Sequence, residues 1–84
     1  MKQLQYLTQG TCSQAINIVL NDDNIIESVE YLGGCAGNTI GIAKLVKGMS
    51  ADEAISRLEG ITCGWKPTSC PDQLAQALKQ MIKQ

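Results

Sequence analysis

The sequence contains no histidine and no phenylalanine, and neither sign of charge is in clear excess. Without histidine, no imidazole is available to bind a metal ion or to act in a general acid–base pair. The 7 basic and 8 acidic side chains give a formal net charge of -1. Binding to nucleic acid or to a membrane surface requires a concentrated basic face. We therefore expect neither as a partner, and no nucleophile–base pair indicates a hydrolase or a transferase.

A long hydrophobic run is also missing. No apolar stretch approaches the roughly 20 residues that are needed to cross a bilayer. Residues 1–8 alternate polar and apolar side chains and do not form the apolar segment of a signal peptide. We therefore expect a cytoplasmic protein, in which thiols stay reduced and structural disulfides are rare.

Aromatic residues are scarce, which limits the core. The 84 residues suit a single domain, residues 1–84, and a content of 44% hydrophobic and 18% charged residues is typical of a globular chain. Only Tyr6, Tyr31 and Trp65 supply aromatic bulk. A small domain with a thin core often needs an added staple, such as a metal, a disulfide or a partner.

Alternating hydrophobicity predicts three β-strands in the first half of the chain. Residues 2–8, about 14–20 and about 25–32 alternate apolar and polar side chains, as half-buried strands do. The turn-forming residues 10–13 and 21–24 separate these strands. The pattern therefore predicts a three-stranded antiparallel meander.

The apolar period changes to that of a helix after the glycine-rich residues 33–37. We expect Asn38 or Thr39 to cap the N-terminus of the first helix and Gly48 to end it. The predicted apolar face of this helix consists of Ile40, Ala43, Leu45, Val46 and Met49.

Two further helices are predicted in the second half of the chain. Ser50 and Glu53 have the spacing of a reciprocal capping box, and Gly60 marks the end of the helix that they begin. Residues 68–72 begin the last helix, with a proline in its first turn. The apolar stripe of that helix consists of Leu74, Ala77, Leu78, Met81 and Ile82. Three strands followed by three helices predict an α+β fold.

The four cysteines are the strongest candidates for chemistry. Cys12, Cys35, Cys63 and Cys70 are separated by 22, 27 and 6 residues, so no pair has the C-x-x-C spacing of zinc ribbons or thioredoxins. All four fall between predicted elements or at their ends, whereas buried structural cysteines usually behave as small core hydrophobes. In a reducing compartment this pattern favours metal ligands or redox groups, and a disulfide framework remains an alternative.

The local setting of the cysteines favours a shared metal site. Cys35 and Cys70 lie near predicted helix N-termini, where the partial positive charge favours the thiolate that binds metal. Four thiolates suit either structural Zn²⁺ or an iron–sulfur cluster, and the sequence does not distinguish between these cofactors. The glycines of residues 33–37 allow close backbone approach to a bound ion. Lys66 either offsets part of the anionic charge of the thiolates or is a solvated surface lysine. Trp65 either shields the site, docks a partner or fills the core.

A family resemblance follows from these residues. Residues 68–72, Thr-Ser-Cys-Pro-Asp, spell the name of the TSCPD domain, and residues 33–38 and 63–64 match that family as well. The whole chain resembles the small stand-alone four-cysteine members. Related domains occur at the carboxyl end of coenzyme-B12-dependent ribonucleotide reductases, and stand-alone members are often labelled ribonucleoside-diphosphate reductase. The resemblance implies at most an accessory role, because 84 residues cannot hold the barrel and radical machinery of such an enzyme.

The chain is also similar to the iron–sulfur cluster scaffold proteins of the IscU type. Residues 21–31, 34–35 and 45–54 look like that family's hairpin, second-cysteine loop and VKGKS helix junction. This similarity implies an IscU-like fold.

The departures from the scaffold family concern its metal ligands. Cys12, Cys35 and Cys70 are similar in order to the three cluster cysteines of that family. The family has an aspartate where this chain has Gln14, and a histidine where it has Ser69. Here the remaining cysteine offers a fourth thiolate, which suits a more permanent site.

Three functions are consistent with the sequence. The first is a small cytoplasmic metal-binding module of the TSCPD type that is accessory to ribonucleotide reduction. In this module zinc or an iron–sulfur cluster is held by Cys12, Cys35, Cys63 and Cys70. The second is a thiol–disulfide redox partner in which Cys63 and Cys70 reduce a ribonucleoside-diphosphate reductase or another redox enzyme. The third is a cluster scaffold or carrier. The strand predicted over residues 2–8 is a candidate edge for pairing with another chain, and the oligomeric state is left open.

Overall fold

The computed structural model describes residues 1–11, 13–34, 36–62 and 64–83. The chain forms a three-stranded antiparallel sheet, in which the strands lie side by side in chain order, followed by three helices. The predicted α+β arrangement is therefore confirmed. The elements are β1 (Lys2–Leu7), β2 (Ser13–Leu20), β3 (Ile26–Gly33), α1 (Ala36–Val46), α2 (Ala51–Leu58) and α3 (Cys70–Ile82).

The core lies between one face of the sheet and the helices. On this face Leu4 lies opposite Ile18 and Tyr6 lies opposite Ile16, as the alternation predicts. The side chain of Trp65 is 91% exposed, so it does not fill the core. Aliphatic side chains make the core instead, and the largest fully buried ones are Ile16, Ile18, Leu20, Ile26, Leu74, Leu78 and Met81.

The opposite face of the sheet is open to solvent. No helix covers it within the described part of the chain, and its side chains are mostly polar, as an antiparallel sheet with one solvated face requires. The residues on this face include Gln3, Gln5, Asn17, Val19, Ser28 and Glu30.

Helix α1 differs from its predicted start and from its predicted face. It begins at Ala36, so Asn38 and Thr39 lie inside its first turns and do not cap it. Thr39 and Val46 are buried, whereas Leu45 is 78% exposed. Because nearly every side of α1 carries an apolar residue, the sequence period does not select a face, and packing against β3 does. The predicted inclusion of Ile40 in the buried face is also wrong, since that residue is exposed.

Helices α2 and α3 agree with the sequence except for half of the capping box. Ser50 caps α2 by accepting a 3.2 Å hydrogen bond from the backbone N–H of Glu53, as predicted. The Glu53 carboxylate does not complete the reciprocal bond; it pairs with Arg57 one turn later, at 2.7 Å. Among the described residues no helix combines the length and apolar character that a bilayer crossing requires.

Candidate functional site

Cys70 is the first residue of α3, and its surroundings define the candidate site. The preceding Ser69 caps the helix by accepting a 3.2 Å hydrogen bond from the backbone N–H of Asp72. The Cys70 sulfur lies 3.3 Å from the hydroxyl oxygen of Ser13, and the Tyr31 hydroxyl donates a 2.9 Å hydrogen bond to the Cys70 carbonyl. The start of α3 is thereby attached to both β2 and β3.

The pKa of the Tyr31 hydroxyl is raised by burial and by its position beside Cys70. Burial raises the pKa of its hydroxyl well above the usual value, and the negative charge of the Cys70 thiolate raises it further. Tyr31 therefore stays protonated, which keeps it a hydrogen-bond donor to the Cys70 carbonyl.

A close backbone approach brings the end of β3 onto the start of β2. Gly34 has a φ of +87°, and a Cβ atom on it would lie 3.2 Å from the Ser13 backbone. A register shift between Ser13 and Ala15 accompanies this contact, as at a β-bulge that redirects a side chain. Gly34 precedes Cys35 in the chain and Ser13 follows Cys12, so neighbours of two cysteines are in contact beside Cys70.

Residues of the 68–72 segment hold the chain that precedes Cys63. The Ser69 hydroxyl donates a 2.6 Å hydrogen bond to the carbonyl of Ile61. The Asp72 carboxylate accepts a 2.8 Å hydrogen bond from the Gly60 backbone N–H and another from the Thr68 hydroxyl. Two of these hydrogen bonds, from Ser69 to Ile61 and from Gly60 to Asp72, therefore fasten the segment after α2 to the N-terminus of α3.

The ionisation of Asp72 follows from these contacts. Desolvation by burial raises the pKa of this carboxyl, but hydrogen bonds from Thr68, Gly60 and Gln76, together with the charge of Lys79, outweigh that effect. The net result is a pKa below the usual value for aspartate. Asp72 is thus a buried carboxylate that is satisfied by its neighbours.

The turn between β1 and β2 docks on the same segment. The side-chain oxygen of Gln73 accepts a 3.0 Å hydrogen bond from the Gln9 backbone N–H, and its amide nitrogen donates to Thr68 at 3.0 Å. Gly10, with a φ of +76°, lies so close to Thr68 that a Cβ atom would be 3.0 Å from its methyl carbon. The chain just before Cys12 therefore lies against the start of α3 as well.

A cavity of about 310 Å³ lies beside Cys70 at this end of the molecule. Lys66 is the one ionisable group besides the Cys70 thiol among its described lining residues, and no carboxylate lines it. The lining residues are Gly10, Thr11, Asn38, Thr39, Ile42, Lys66, Thr68, Ser69, Cys70 and Pro71.

Of the four predicted site residues, only Cys70 falls within the described part of the chain. Cys12, Cys35 and Cys63 lie outside it, so the four-cysteine site stays a prediction. Within residues 1–11, 13–34, 36–62 and 64–83, no group of three or more potential metal ligands is found. The predicted approach of the glycine backbone at residues 33–37 to a bound ion likewise stays a prediction.

Sequence reasoning missed three residues around Cys70. Ser13 and Tyr31 contact Cys70, and Asp72 organises the chain on either side of Cys63. For Ser13 and Asp72 a signal was present, since each lies within two residues of a cysteine. For Tyr31 there was none, because its contact depends on how β3 meets α3.

The comparison with protein families identifies the class to which this fold and site belong. The family model of the TSCPD domain matches residues 1–82. The chain therefore belongs to the TSCPD domain family. Neither a protein of curated function nor a solved structure matches the chain.

Proposed function

We propose that the chain is a metal-binding module in which Cys12, Cys35, Cys63 and Cys70 supply four thiolates to zinc or to an iron–sulfur cluster. The metal would join the sheet to the N-terminus of α3 and so provide the staple that an aliphatic core of this size needs.

One observation carries this proposal: described neighbours of the cysteines converge on Cys70. Ser13, which follows Cys12, lies 3.3 Å from the Cys70 sulfur and in close contact with Gly34. Ile61, two residues before Cys63, is hydrogen-bonded to Ser69. These contacts give three separate chain segments a common meeting point at the first turn of α3.

The chemistry of the surroundings also suits a thiolate-bound metal. The N-terminus of α3 and the amino group of Lys66 favour negative charge beside Cys70. Among the described cavity-lining residues no carboxylate competes with the Cys70 sulfur, which is a soft ligand of the kind that zinc and iron–sulfur clusters prefer. A hydroxyl such as that of Ser13 can orient a ligating sulfur by hydrogen bonding.

For the biological process we propose a role accessory to ribonucleotide reduction, with a reductase or another redox enzyme as partner. Membership of the TSCPD family supports this role, since related domains are attached to ribonucleotide reductases. Trp65 lies exposed two residues from Cys63, where it is available to contact such a partner.

The experiment is purification without oxygen, followed by measurement of zinc, iron and sulfide and by a visible spectrum. Zinc at one per chain without colour would identify a zinc module. Iron and sulfide with a charge-transfer band would identify a cluster. Absence of metal, together with a reversible two-electron thiol titration, would contradict the proposal and favour thiol–disulfide exchange between Cys63 and Cys70.

A further inference from the structure

The two edges of the sheet differ in how they are covered. Along the start of β3, Ile26 exchanges backbone hydrogen bonds with Gly48 and Met49 at 2.8 and 2.9 Å, and Ala51 donates to Asn24 at 2.8 Å. Among the described residues, no backbone group bonds to the outer edge of β1. Strand β1 also has neither a proline nor a register shift, two devices that protect exposed edges.

The direction of the backbone groups of β1 follows from its pairing with β2. Thr8 donates a 3.1 Å hydrogen bond to Gln14, so this opposite pair is a hydrogen-bonded one. Hydrogen-bonded pairs alternate along an antiparallel ladder. The even-numbered residues of β1 therefore bond to β2, whereas Gln3, Gln5 and Leu7 aim their N–H and C=O groups outward.

We propose that β1 pairs with β1 of a second copy of this chain, antiparallel and centred on Leu4. In this register residue 2 of one copy lies opposite residue 6 of the other, residue 3 lies opposite residue 5, and residue 4 lies opposite residue 4. Residues 2–6 then pair with residues 6–2 of the other strand, and Met1 lies opposite Leu7 just before the strand begins. The outward backbone groups of Gln3 and Gln5 of one copy meet those of Gln5 and Gln3 of the other. Two three-stranded sheets thereby become one six-stranded sheet with a two-fold axis.

Each cross-strand pair in this register is complementary. Met1 and Leu7, 74% and 72% exposed in the single chain, lie opposite each other on the open face of the sheet. Leu4 lies opposite Leu4 on the core face, and Lys2 lies opposite Tyr6. No like charges meet, so the pairs resemble those that stabilise antiparallel sheets.

Part of this edge borders a groove. A groove of about 370 Å³ runs between β1 and α3, lined by residues that include Leu4, Tyr6, Gln73 and Gln80. Leu4 and Tyr6 remain half-buried at this groove. A single added strand buries less area than the roughly 1,200 Å² of a standard stable interface, so the dimer is expected to dissociate on dilution.

The test is sedimentation velocity of the full chain over a concentration series. We expect a reversible rise from the mass of the 9.0 kDa chain to twice that mass. The double substitution Gln3→Lys and Gln5→Lys places lysines opposite lysines, and it should keep the protein monomeric at every concentration. Ser28→Lys adds a lysine to the same sheet face on the far strand, and it should leave the dimer unchanged.

A second variant tests the register. Gln3→Glu with Gln5→Lys places glutamate opposite lysine in the proposed pairing, and it should restore the dimer; unchanged far-UV circular dichroism would show that all three variants are folded. A wild-type chain that stays monomeric throughout the series would overturn the proposal. A dimer that survives the two lysines would overturn it as well, because association would then use another surface.

Discussion

The Ser69 hydroxyl donates a 2.6 Å hydrogen bond to the carbonyl of Ile61, eight residues earlier in the chain. The same oxygen accepts from the Asp72 backbone N–H, so one hydroxyl both caps α3 and holds the segment that leads to Cys63. Residues 68–72, Thr-Ser-Cys-Pro-Asp, thus form a structural clamp. Its hydroxyl and carboxylate side chains fix the chain on either side of Cys70 and the segment that leads to Cys63.

Removal of the Asp72 charge tests this clamp. Asp72→Asn keeps the size of the side chain but replaces one carboxylate oxygen with a donor, so the bonds from Gly60 and Thr68 cannot both be kept. We expect the free energy of unfolding to fall by about 1–3 kcal/mol in urea denaturation. Asp23→Asn, at an exposed turn position, is the matched control and should change little. Equal stability of the two variants would contradict the clamp.

Substitution of Gly34 tests the contact between β3 and Ser13. Gly34→Ala introduces a Cβ atom 3.2 Å from the Ser13 backbone at a φ of +87°, so we expect a loss of at least about 1–2 kcal/mol in thermal or urea unfolding. Gly37→Ala places the same methyl group in open space within α1, where alanine should be neutral or stabilising. A Gly34 variant as stable as the Gly37 variant would show that the close approach is unimportant.

The Ser13 hydroxyl is expected to orient the Cys70 sulfur for metal binding. Ser13→Ala removes the hydroxyl that lies 3.3 Å from that sulfur, and we expect metal affinity to fall by about 10-fold in a chelator competition assay. Ser28→Ala, on the exposed part of β3, provides a control with the same chemical change. If both variants retain wild-type affinity, Ser13 has no part in the site.

The fourth thiolate is tested at Cys63. Cys63→Ser should lower metal content and stability together, because a bound metal that contacts only the folded state stabilises it. Thr62→Ser alters the adjacent exposed residue without changing the number of thiolates, and it should keep the full metal content. Unchanged metal content in the Cys63 variant would remove this residue from the site.

The strands and the last two helices could be predicted because each has one clear apolar period. Leu4 and Tyr6 alternate with glutamines in β1, and Leu74 and Leu78 repeat at helical spacing in α3. Helix α1 carries apolar residues on nearly all sides, so which of its faces is buried depends on packing against β3. Thr39, whose residue type is typical of a helix cap, lies within this helix and is buried.

The candidate site could be predicted only as a set of residue types. The sequence indicates four cysteines and a helix start at residues 68–72, but hydrogen bonds such as Gly60 to Asp72 and Tyr31 to Cys70 join segments 12 and 39 residues apart. Which loop meets which helix depends on the assembled fold. Local patterns therefore could not identify Tyr31 or the partners of Asp72.

The most direct test of the four-thiolate site is X-ray absorption spectroscopy of the purified protein at the edge of the metal that it contains. For zinc, we predict a first shell of four sulfur atoms at about 2.3 Å and no nitrogen or oxygen. For an iron–sulfur cluster, we likewise predict that sulfur alone surrounds each iron. A first shell containing nitrogen or oxygen at about 2.0–2.1 Å, or a protein without metal, would contradict the account.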